Sequence, residues 1–213
     1  MRVSALSRWN GTSEITENMR SFLAAKSKAT LACVAVALLG VNIGHATTVI
    51  PPSFAQLVGQ AELIFQGTVT DVKSMWVGQG AERHIETSVT FKVEDALKGN
   101  PGASYTISLL GGTVDGQTLE VTDTPKFKVG DRDILFVEHN GEQFVPLVGI
   151  GFGRFRVQHD AGSGRVFVST GEGEPLGDVT KLGHAKQTAT SATALSPEQF
   201  KSAIKVQLGG PAK

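Results

Sequence analysis

The chain has 213 residues, a formal net charge of zero and a single cysteine, Cys33. Residues 1–46 hold five basic residues (Arg2, Arg8, Arg20, Lys26, Lys28) and two acidic ones (Glu14, Glu17), leaving 15 basic and 18 acidic residues behind them, a balance near −3. That balance argues against nucleic acid as a partner, and a mature part without a thiol has no disulfide, no cysteine nucleophile and no thiolate metal ligand.

Residues 29–43 read ATLACVAVALLGVNI, an uncharged apolar run with Lys26 and Lys28 before it and Gly44-His45-Ala46 after it. Basic n-region, apolar h-region and small-residue cleavage site stand in the order of a signal peptide. The run is shorter than the roughly 20 apolar residues of a membrane span. Cleavage after Ala46 is expected, with retention as an anchor as the alternative, so the protein is predicted to be secreted or periplasmic and to have no membrane span once the signal is removed. Met19-Arg20-Ser21 has the form of an ordinary signal start and is the expected start of translation.

After Pro51-Pro52, Phe54, Leu57, Val58 and Ala61 share one helical face behind a Ser53 cap. From Glu62 the period changes to two, with Leu63, Phe65, Gly67 and Val69 on one face, which predicts a strand. Strands are predicted at 86–97, 105–110 and, beyond the hairpin dipeptide Asp115-Gly116, at 117–121. Ile134-Leu135-Phe136-Val137 reads as a strand buried on both faces. Asn140-Gly141 leads into a strand at 144–148, and 154–157 pairs with 165–168. Seven or eight strands at spacings too short for βαβ crossovers predict an antiparallel barrel or sandwich. Residues 178–195 have the small, polar composition of a linker or disordered strap. The chain closes with a capping box, Ser196-Pro197-Glu198-Gln199, and an apolar helical stripe. The expected organisation is a signal peptide over 1–46, a β-domain over 47–177, the strap over 178–195 and a C-terminal helix over 196–208.

The segments 61–69 (AELIFQGTV), 93–99 (VEDALKG), Gly111-Gly112 and 127–137 (FKVGDRDILFV) recur in this order in a group that the chain resembles. These are uncharacterised secreted bacterial proteins, similar in fold to the netrin-module and tissue-metalloproteinase-inhibitor type of OB barrel. The resemblance covers about residues 53–157. It implies a mainly β, antiparallel OB-like barrel with a short N-terminal and a C-terminal helix, in which Gly67 permits a close backbone approach. It also implies a second function class, inhibition of a secreted metalloprotease. Inhibitors of that family bind the protease zinc through an N-terminal cysteine, whereas this mature chain starts at Thr47, whose amino group would have to replace it.

No catalytic motif, cofactor signature or metal site is predicted. His84, His139, His159 and His184 lack zinc-ligand spacing, and Glu86 and Glu138, near in sequence to His84 and His139, are not expected to converge with them in the manner of a helical H-E-x-x-H motif. Gly149-Ile150-Gly151-Phe152-Gly153 precedes a strand rather than a helix and reads as a bulge or strand junction, not a phosphate loop. Asp131-Arg132-Asp133 reads as a turn capped by Asp131. Two features are tentative binding candidates: Met75 and Trp76 in an expected inter-strand loop, with burial of Trp76 on the rim as the alternative, and Arg154 and Arg156, which share strand parity and could form a cationic patch. The expected function is a non-enzymatic binding or interaction module with an extracytoplasmic protein partner, with the protease inhibitor as alternative and an enzyme with a dispersed active site as a third class.

Overall fold

A strand too long for one flat sheet organises the molecule. The computed structural model describes residues 51–184 and 186–209, all within the unit Val49–Lys213; the predicted signal peptide and Thr47 lie outside the described residues. Helix α1 (Phe54–Gln60) opens the domain behind a capping box in which Ser53 and Gln56 bond reciprocally. Strand β1 (Leu63–Val77) follows, then β2 (His84–Lys98), β3 (Ser104–Leu110), the short hairpin β4 (Gly112–Val114) and β5 (Gln117–Leu119), β6 (Arg132–Val137), β7 (Arg154–His159) and β8 (Val166–Thr170). Helix α2 (Pro197–Gln207) closes the fold, with Ser196 and Gln199 forming the predicted box.

Six strands form one antiparallel sheet in the order β3-β2-β1-β6-β7-β8, and β4-β5 form a separate pair. The domain is mainly β, but the sheet does not close into a barrel: β3 and β8 remain its edges. Both edges are covered, which blocks strand addition there. On β3, Asn140 accepts from the Ser108 N–H (3.2 Å) and donates to the Thr106 carbonyl (2.8 Å), and the Leu110 N–H donates to the Phe144 carbonyl (2.8 Å). On β8, the Val168 N–H donates to the Leu195 carbonyl (2.8 Å) and its carbonyl accepts from Leu176 (2.9 Å). The segment 178–195 is thus a strap clipped at both ends, with the Arg165 guanidinium also donating to the Ala194 carbonyl (2.6 Å).

Residues 144–148 do not form the predicted strand. Only Leu147 pairs, with Val137, because Pro146 has no N–H to extend a ladder and the Phe144 carbonyl is turned to β3. Strand β1 instead runs further than its sequence pattern indicated, and its pairing with β2 shifts register at three places, between Ile64 and Phe65, Gln66 and Gly67, and Val69 and Asp71. Such bulges bend a strand and increase its twist. At Gly67 a Cβ would sit 2.8 Å from the Lys92 carbonyl oxygen, so the close approach requires glycine.

The sheet buries both faces, as Ile134-Leu135-Phe136-Val137 predicted. Ile64, Ile134 and Phe136 point to one face, where Leu57 and Val58 of α1 and Phe200 and Ile204 of α2 cover them. The rings of Phe136, Phe155 and Phe200 meet at 4.7–6.2 Å between centroids. Phe65, Leu135 and Val137 point to the other face, against Val89, Phe91, Ile107 and Leu109 of the bent β2–β3 sheet and Phe127 and Leu147 of the loops. Lys98 fastens α1 by donating to the Val58 and Gly59 carbonyls at its C-terminal end, and Lys201 fastens α2 to Asp95 at 3.0 Å. Among the described residues no helix is long and apolar enough to cross a membrane.

Candidate functional site

Both predicted binding features are placed differently from expectation. Met75 and Trp76 lie in the last turn of pairing of β1 rather than in a loop, opposite Glu86 and Ile85 of β2. Consecutive strand residues face opposite sides, so Met75, partly exposed, and Trp76, half-buried, cannot share one contact surface. The Trp76 ring is itself covered by the Arg83 guanidinium, 4.1 Å from its centroid.

Arg154 and Arg156 do share strand parity, yet they make no exposed patch. Arg154 is 4% exposed and Arg156 half-buried. The Arg154 guanidinium forks onto Asp133, with Nε to Oδ1 and Nη2 to Oδ2 both 3.0 Å. Nη2 also donates to Asp131 (2.9 Å) and Nη1 to the Lys126 carbonyl (2.7 Å), and the plane lies 3.9 Å from the centroid of the Phe127 ring. Asp131 additionally accepts from the Lys128 N–H at 3.0 Å, the turn cap its sequence suggested. Burial is the largest influence on the Asp133 carboxyl and pushes its pKa upward, reinforced by Asp131; Arg154 acts against it. A completed fork of this kind holds geometry; its charges are spent on one another.

Arg154 and Asp131, two members of this lock, line a groove of about 1070 Å³ at this end of the sheet, with Asp133 buried behind them. One wall is the Gly149–Gly153 segment. It leads directly into β7, as the expected strand junction does, through a double turn in which the Ile150 N–H donates to the Leu147 carbonyl (2.9 Å) and the Phe152 N–H to the Gly149 carbonyl (3.4 Å). Gly149 and Ile150 both have positive φ, +64° and +68°. For a β-branched residue this is a genuine outlier. The side chains of Ile150 and Phe152 are 42% and 36% exposed, although both are large and apolar. Pro51 and Pro52 close one end, Lys126 and Asp123 stand opposite, and His184 and Lys186 of the strap complete the rim.

The histidines do not meet one another, but two find carboxylates. His84 Nε2 lies 2.8 Å from Glu86 and its Nδ1 2.7 Å from the Glu82 carbonyl. Residues i and i+2 of a strand lie on one side, which lets the two side chains meet as a pair. Both ring nitrogens face acceptors, an arrangement only the doubly protonated ring satisfies, and the hydrogen bond to Glu86 raises the His84 pKa. His139 pairs with Glu62 at 3.0 Å, not with its neighbour Glu138. Among the described residues no group of three or more His, Cys, Asp or Glu side chains is arranged to hold a metal ion.

The groove escaped the sequence reading because its walls come from five separate segments; the one local signal was an isoleucine and a phenylalanine set between glycines. No family model, curated protein or solved structure matches the chain.

Proposed function

We propose that the protein is an exported, non-enzymatic binding module whose contact site is the groove walled by Ile150 and Phe152. The observation that carries this reading is Ile150, held at φ +68° with its side chain partly exposed at the groove. Left-handed backbone costs a non-glycine residue roughly 1–2 kcal/mol, and such strain concentrates where a side chain must be presented to a ligand. Arg154, held from behind by Asp133, supports the same reading, since a preorganised site loses less entropy on binding.

Asparagine tolerates the left-handed region, so Ile150→Asn is expected to stabilise the protein by about 1 kcal/mol while abolishing capture of its envelope or supernatant partner by the immobilised full chain. Trp76→Ala is expected to retain the partner. Capture that survives Ile150→Asn and fails with Trp76→Ala would move the site to the far end of the β1–β2 ribbon. Export is tested by N-terminal sequencing of the protein outside the cytoplasm, expected to begin at Thr47. The inhibitor reading has one point in its favour, that Pro51 and Pro52, close behind Thr47 in sequence, line the same groove. It requires that acetylating the Thr47 amino group abolish inhibition of a secreted metalloprotease.

A further inference from the structure

The connection between β1 and β2 is a tight turn whose own backbone bonds are long. Gly78, at φ +78°, lets the Glu82 carbonyl fold inward, where a Cβ at position 78 would sit 2.7 Å from that oxygen. The single 3-10 turn Gly80–Glu82 is closed by the Glu82 N–H donating to the Gln79 carbonyl (3.2 Å) and the Arg83 N–H to the Gly80 carbonyl (3.4 Å). The short contacts come from the first residue of β2. His84 Nδ1 lies 2.7 Å from the Glu82 carbonyl and Nε2 2.8 Å from the Glu86 carboxylate, so the imidazole ties the turn to the strand. Consecutive residues turn to opposite sides of a ribbon. While His84 faces Glu86, Arg83 reaches over the other side and lays its guanidinium 4.1 Å from the centroid of the Trp76 ring. The peptide whose carbonyl His84 holds is the one that carries Arg83.

Only the doubly protonated ring donates at both nitrogens. The neutral ring keeps one N–H, and it keeps the charge-assisted bond to Glu86, roughly twice as strong as a bond to a neutral carbonyl. The Glu82 carbonyl then faces a lone pair and is released. Opposite His84 and Glu86 stand Val77 and Met75 of β1, without charge, with Lys73 two positions further along; β3 offers Leu110 and then Ser108. The charged groups of the turn itself are the exposed Glu82 and Arg83, the latter occupied over Trp76. We propose that His84 is a proton-operated clasp that sets whether Arg83 covers Trp76, closed when the ring carries both protons and open when it carries one. The hydrogen bond to Glu86 is the largest influence on the His84 pKa and raises it, helped by the Glu82 carbonyl. The clasp is therefore complete at low pH and is lost as pH rises through a value above the ordinary ~6.5 of histidine. This device does not depend on the groove reading.

The test is a pH titration of the full chain by NMR, from about pH 5 upward, that follows two sets of signals. One is the His84 ring; the other is the Arg83 side-chain protons, which the Trp76 ring current shields while the guanidinium lies over it. The shielding should fall with the midpoint at which His84 titrates. Glu86→Gln should lower that midpoint, and His84→Gln should leave the Arg83 shielding independent of pH. Coupling runs equally in both directions, so Trp76→Leu, which removes the stack that favours the closed turn, should also lower the His84 midpoint. Shielding that stays constant while His84 titrates, a pH-dependent loss of shielding that persists in His84→Gln, or a His84 midpoint unmoved by Trp76→Leu would each show that ring and cover are uncoupled and overturn the clasp. A His84 midpoint at or below the ordinary histidine value would overturn it as well, since the two acceptors would then not be holding the charged ring.

Discussion

The two faces of the sheet are covered by different means, and they differ in what they leave open. On one face two short amphipathic helices lay Leu57, Val58, Phe200 and Ile204 across Ile64, Ile134 and Phe136, and the aromatic rings interlock. On the other the cover is the sheet's own bend plus the connection from Gly111 to Asp131. That connection is fastened at points: glycines at its root, the Arg154 fork at its far end. A helix presents a continuous apolar stripe and fills the space beneath it; a loop held at two ends spans a gap. A cavity of about 410 Å³ lies under the β4–β5 hairpin on this loop-covered face, and the groove, where binding is proposed, lies at its margin.

This contrast can be broken by mutation. The largest expected effect is on the helix-covered face, where Phe200→Ala should destabilise by about 3–5 kcal/mol, measured by urea unfolding. The equivalent truncation of the hairpin roof, Leu119→Ala, should cost under about 1 kcal/mol, because its half-buried side chain already borders open space. Equal losses at the two positions would refute the distinction between a packed face and a spanned one.

Next in size comes the lock. Arg154→Ala leaves the fully buried Asp133 without its partner and should cost about 3 kcal/mol or more. The double change Arg154→Met with Asp133→Leu should cost less than the single one, since no uncompensated charge remains. A double variant as unstable as the single would mean that the fork contributes by shape rather than by charge pairing.

The smallest effect concerns Asp160 in the turn between β7 and β8. Its carboxylate accepts from the Ser191 side chain and from Ser163 and the Gly162 N–H, which lowers its pKa from 3.8 to about 2. A pKa depressed in the folded state stabilises above the unfolded value, and that contribution is lost as pH falls from about 4 through about 2. Wild type and Asp160→Asn should therefore differ in denaturation midpoint at pH 6 and converge near pH 2. A constant gap across that window would show that the turn does not sense the charge.

Much of the fold was legible locally. The cap at Ser53 and the capping box at Ser196 read directly from local patterns, because a capping hydrogen bond reaches only three residues along the chain. The doubly buried β6 was legible from an unbroken apolar run. The length of β1 was not legible. In residues 70–77 the half-buried side is Val72, Ser74 and Trp76 and the exposed side Asp71, Lys73 and Met75, so each side mixes polar and apolar residues and the period of two is not written in hydrophobicity. That is why Trp76 read as a loop residue.

The sequence by itself determined both helices, most of the strands and which apolar residues are available for a core, since these depend on neighbours within a turn or along one strand. Tertiary structure alone decided that Arg154 turns inward to Asp133, that Met75 and Trp76 part to opposite faces, and that a groove and a cavity open where they do. Each of these depends on contacts between residues distant in the chain, and loop closure leaves no local pattern of residues from which they could be read.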